Sequence, residues 1–210
     1  MQIDKTLKKE EAIRQINDIK AHLIDKQTFF PYNYRATYVW SLISIILIFT
    51  TVPLYESNIL KGTIVVSFLI LVGFVTEMIL TKKVNESYNI QECTLRQQFI
   101  MKSFLMVALF LIVFSAVLAS YKLYVPIFLS WLFLISLVYY TVGFVLNIGR
   151  FTQMATFNMF ASILLLAIGF INDALVGKTY DYLYVIQIFM VIGLAIMPAV
   201  VAWWQLKEGK

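Results

Sequence analysis

The sequence predicts an all-α integral membrane protein. Six transmembrane helices, with both termini on the cytoplasmic side, follow an amphipathic helix. Three observations predict this. First, 60% of the 210 residues are hydrophobic and only 14% are charged, with a mean hydropathy of +0.80. A soluble domain is about 45–50% apolar and about 25% charged. Second, six stretches reach the roughly 20 apolar residues that a helix needs to cross a bilayer. They lie at about 37–54, 60–80, 101–120, 124–146, 152–172 and 182–204. Third, the basic residues are lopsided. With the N-terminus inside, 14 Lys and Arg fall on the cytoplasmic side and 3 (Lys61, Lys122 and Lys178) on the other, as the positive-inside bias requires. The net charge of +5 is therefore topological, and no nucleic-acid partner is implied.

Helices are the elements expected within the spans, because lipid offers no partner for an open backbone group. Runs such as "SLISIILIFT" are continuously apolar, where a barrel strand would alternate. The connections are short except for 81–99, which is long enough for a surface helix, and Gly149 in "NIGRFT" reads as a helix stop. There is no internal repeat. The first residues are charged throughout, unlike a signal peptide. One cysteine, Cys93, excludes an intrachain disulfide.

The chain divides into residues 1–35, an amphipathic helix and aromatic elbow, and 36–210, the transmembrane domain. In the first segment Ile13, Ile16, Ile19 and Leu23 share a face at helical spacing, with Arg14, Asp18, His22 and Asp25 opposite. That face suits a protein partner, a second copy of the chain, the lipid surface, or the protein's own 81–99 loop. The lead-in carries Phe29, Phe30, Tyr32, Tyr34, Tyr38 and Trp40. It reads as an interfacial belt, with Pro31 breaking the surface helix and Arg35 facing phosphates; an aromatic ligand box is the alternative.

Catalytic and metal-binding patterns are missing. His22 is the only histidine, and no Cys, His and carboxylate cluster has ligand spacing, so no cofactor is implied. Asp173 and Asp181, eight residues apart, lack a calcium-loop signature. Polar residues inside the spans hold more information, because each is costly in lipid. Glu77 is the only carboxylate within the expected spans. It reads as a snorkelling partner of Lys82 and Lys83, a buried partner of Arg150, or a proton- or cation-handling group. Asn147, Arg150 and Gln153 surround the turn between spans four and five, and Asn158 and Gln187 are expected to bond across helices. Pro198 should bend span six, and Ala195 with Ala199 offers a small-residue contact that permits a dimer. Eight glycines predict few close crossings and no unwound helix.

"FFPYNYRA", Glu77–Met78, "VPIFLSWLF" with Pro126 and Trp131, and "NIGRF" together resemble an uncharacterised family of bacterial six-helix inner-membrane proteins. The resemblance spans nearly the whole chain and implies a bacterial inner-membrane location. It departs at Pro31, which falls where the family pattern has an Arg–Gly–Tyr order. The function expected first is a non-enzymatic scaffold or regulatory subunit that engages a partner through its cytoplasmic face. The alternative is a small transporter or channel using Glu77 and the polar residues of spans four to six. An enzyme acting on a lipid would have almost no catalytic groups to use.

Overall fold

The computed structural model describes residues 11, 13–16, 32–87, 95–175 and 180–208. These residues form an all-helical bundle, and no strand occurs among them. Six helices are long and apolar enough to cross a membrane. In chain order they are α1 (Tyr34–Ser57), α2 (Ile59–Ser87), α3 (Leu95–Ser120), α4 (Tyr124–Val145), α5 (Gly149–Ile171) and a composite sixth. The sixth consists of α6 (Tyr180–Met190), a π-helical turn (Val191–Ile196) and α7 (Met197–Glu208). The shortest complete span, α4, has 22 residues. At about 1.5 Å per residue it matches a hydrocarbon core of about 30 Å.

Large apolar side chains point outward along these helices. Leu60, Phe144, Phe170 and Ile171 are all at least 70% exposed. In water such a surface would be an aggregation liability, whereas lipid is its natural solvent. The class is therefore a multi-pass membrane protein. The interior is closed by Ile48, Phe128, Leu132, Ile186 and Leu194 at one level and by Tyr139, Val142, Phe151 and Val201 at another. α4 packs on α3 and α5, and α1 packs on α2, the π turn and α7.

Polar caps set the helix ends. Asn33 Oδ1 accepts from the Ala36 N–H at 3.2 Å to open α1, and Asn58 Oδ1 accepts from the Lys61 N–H at 3.0 Å to open α2. Three helices end on a left-handed residue that is not glycine: Lys122, Asn147 and Asp173, with φ of 58°, 54° and 52°. After α4 the Ile148 N–H reaches the Gly143 carbonyl at 2.8 Å and the Asn147 N–H reaches Phe144 at 3.3 Å, which is a Schellman closure. Asn147 is thus the stop between spans four and five. Gly149, expected in that role, is instead the first residue of α5. Asparagine tolerates the left-handed region well enough to leave the glycine free.

The long connection expected at 81–99 is shorter. α2 runs on to Ser87 and α3 starts at Leu95. Buried Asn85 and Gln97 exchange amide hydrogen bonds, Asn85 Nδ2 donating at 3.0 Å and Gln97 Nε2 at 2.7 Å. This reciprocal pair satisfies both side chains and carries the two helices past their apolar stretches. Cys93 lies outside the described residues.

Two glycines correct the expectation that close crossings are few. A Cβ on Gly73 would sit 2.7 Å from the Trp40 ring, and one on Gly193 would sit 2.7 Å from Asn158 Oδ1. The sixth span is also not a continuous α-helix. Its π turn gives the Met197 N–H to the Ile192 carbonyl, five residues back. The next residue that could reach Gly193 is Pro198, which has no N–H. The Gly193 carbonyl would be orphaned, and Asn158 Nδ2 donates to it at 2.9 Å.

Candidate functional site

The short turn at Asn58 folds α1 and α2 into a hairpin, so residues equally far from it come together. Trp40 lies eighteen residues before Asn58, and Glu77 nineteen after it. Trp40 Nε1–H donates to Glu77 Oε2 at 2.8 Å. Seven residues closer to the chain start, Asn33 Nδ2 donates to Thr81 Oγ1 at 3.3 Å. The Trp40 ring is fixed from the sides by Phe74, edge-to-face at 5.0 Å, and by the missing side chain of Gly73.

Trp40 also lines an apolar crevice bounded by α1 to α4 and the sixth span. Its walls include Ile43, Leu47, Phe74, Phe104, Trp131, Tyr139, Met190 and Leu194, and they enclose about 70 Å³. A single water needs about 10–15 Å³ by the same measure, so the space admits several methylene or ring carbons. Trp131 is held in the wall by its Nε1–H, which donates to Ser115 Oγ at 2.8 Å.

Beyond Trp40 lies a second, smaller chamber of about 20 Å³, lined by Tyr32, Asn33, Glu77, Thr81, Gln97, Ile100 and Met101. Tyr32 closes it with rings edge-to-face on Tyr34 at 5.0 Å and on Phe151 at 5.6 Å, while Tyr139 stacks on Phe151 at 5.5 Å. Burial raises the pKa of the Tyr32 hydroxyl well above its ordinary value, and Tyr139 and the negative charge of Glu77 push it further up. It is a neutral phenol at neutral pH.

Glu77 is therefore not the lysine-paired interfacial carboxylate that the sequence favours. Its donor is an indole, and Lys82 and Lys83 are exposed. Arg150 is not its partner either. Its Nη2 bonds Glu208 at 2.6 Å and its guanidinium lies 5.1 Å from the centre of the Trp204 ring. Asn158 and Gln187 both act between helices: Asn158 holds Gly193, and Gln187 Nε2 donates to the Ile48 carbonyl at 3.0 Å. The Tyr182 hydroxyl adds a third such bond, to the Leu165 carbonyl. Asn147 is exposed and serves the backbone. The polar residues of spans four to six do not converge with Glu77 into a common path, and Ala195 is buried inside the fold, away from any outward contact face.

Ile13 and Ile16 lie on helical backbone and are 48% and 61% exposed. Ile19, Leu23 and His22, along with Phe29, Phe30 and Pro31, lie outside the described residues. Of the aromatic lead-in, Tyr38 and Arg35 face outward, whereas Tyr32, Tyr34 and Trp40 pack inward. The aromatic character read as a belt is thus spent partly on the site. No protein-family model, curated protein or solved structure matches this chain.

Proposed function

We propose that the protein is a small transporter of a bacterial inner membrane, with both termini cytoplasmic. Its solute occupies the crevice behind Trp40, and Glu77 is the ionisable group that couples to it. One observation carries this reading. Glu77, the only carboxylate within the expected spans, is held by an indole N–H at the boundary between an apolar crevice and a polar chamber. An ionisable group at that depth is expensive and marks a pathway or a ligand more often than a structural need. On the positive-inside orientation the polar chamber opens toward the cytoplasm. The experiment is flux in proteoliposomes under an imposed pH gradient, with Na⁺, K⁺ and small organic cations as solutes. Wild-type protein should show a flux that Glu77→Gln removes. Absence of any wild-type flux across these solutes would sink the reading.

A second reading, a non-enzymatic scaffold or regulatory subunit, draws on the exposed Ile13 and Ile16. Two β-branched apolar side chains three residues apart on helical backbone suit a partner helix on the cytoplasmic side. Deleting residues 1–27 should abolish partner co-purification from native membranes and leave the bundle folded. Unchanged co-purification would rule it out.

A further inference from the structure

The crevice and the chamber meet at one residue pair. Trp40 lines the first, Glu77 lines the second, and a hydrogen bond of 2.8 Å joins the two side chains. An apolar body in the crevice would reach the carboxylate wherever the indole gives up that bond. We infer that the two spaces form one binding site for an amphiphilic organic monocation, with its apolar body among Phe74, Phe104, Trp131 and Tyr139 and its cationic head on Glu77. This rests on the reading of the crevice as a solute site.

Charge and chemistry select the occupant. Aromatic faces attract cations, and the attraction grows when water is excluded. Among the described residues no basic side chain pairs with Glu77: Lys82, Lys83 and Lys102 are exposed and Arg150 bonds Glu208. An anion would meet that carboxylate across a low-dielectric gap, and a neutral chain would gain nothing from it. A hard metal ion needs about six oxygen ligands. The chamber amides are already engaged, Asn33 with Thr81 and Gln97 with Asn85.

The head and a proton compete for the same oxygens. Among the described residues, the other groups facing Glu77 are the Tyr32 and Tyr139 phenols, the Trp40 indole, and the neutral side chains of Asn33, Thr81 and Gln97. None of these types changes charge between about pH 5 and 8. Each bound cation therefore displaces one proton whenever Glu77 is protonated.

The test uses the full-length protein in lipid nanodiscs, with tetramethylammonium and benzyltrimethylammonium as probes and benzylsulfonate as the anion of matching shape. At least one cation should bind saturably, one per chain. Its affinity should fall at least tenfold in Glu77→Gln and partly recover in Glu77→Asp. It should also weaken about tenfold per pH unit once Glu77 protonates. Benzylsulfonate should bind at least tenfold more weakly than benzyltrimethylammonium. No saturable binding of either cation, equal binding of the two benzyl ions, or full affinity in a folded Glu77→Gln would each overturn the inference. The probe-ion comparison needs only wild-type protein, so a variant that fails to fold leaves a decisive measurement. Cation binding without flux would refute transport and leave this site standing. Flux of other solutes without cation binding would do the reverse.

Discussion

Trp40 Nε1 donates to Glu77 Oε2 across the α1–α2 hairpin at 2.8 Å, joining an aromatic residue and a carboxylate 37 positions apart in the chain. The bond does two things at once. It satisfies a carboxylate that lipid would otherwise penalise, and it closes the crevice at its polar end.

Removing the donor alone should be worse than removing both partners. Trp40→Phe keeps a ring against Phe74 but leaves Glu77 without its indole, at a cost of about 1–3 kcal/mol. In the Trp40→Phe/Glu77→Leu double variant much of that loss should return. Unfolding in detergent, measured as a double-mutant cycle, checks it. Additivity within about 0.5 kcal/mol would show that the bond contributes nothing to stability.

The cap on the π turn makes a separate prediction. Asn158→Ala removes the donor to the Gly193 carbonyl and should cost about 0.6–1.7 kcal/mol, from the average to the largest value for bonds between membrane helices. Pro198→Ala restores an N–H near that carbonyl, so Asn158→Ala should cost less in that background. Equal costs in the two backgrounds, read by SDS-titrated unfolding, would mean that proline does not set the need for the amide.

The Arg150–Glu208 pair should matter little. Its side chains are 38% and 55% exposed, so water screens the attraction despite the 2.6 Å separation. Glu208→Gln should shift stability by less than about 1 kcal/mol in the same unfolding assay. A larger loss would place this pair in a drier environment than its exposure indicates.

Much of the fold could be read from the sequence, because long apolar runs admit only one kind of element in lipid. The spans expected at 37–54 and 124–146 differ from α1 and α4 by only a few residues at each end. Helix ends were harder to read. The 81–99 segment is polar enough to look like a loop, and the pairing of Asn85 with Gln97 holds the two helices together where they continue into it. The stop at Asn147 was hidden by a nearby glycine with stronger propensity. For the site, Glu77 was conspicuous and its partner was not. Trp40 read as an interfacial anchor because composition does not distinguish a ring facing lipid from one turned inward. The signal that could have found it is the hairpin register about Asn58, which places the two side chains at the same depth. The π turn had a weaker clue: Pro198 forbids one backbone bond, while Asn158 offers a spare donor from another helix.

The most direct test of the central claim is the initial rate of solute-coupled flux in proteoliposomes under an imposed pH gradient, for wild type and Glu77→Gln at matched reconstitution. Glu77 as the coupling group requires a clear wild-type rate that drops to the level of protein-free liposomes in the variant. Equal rates in the two proteins would contradict it.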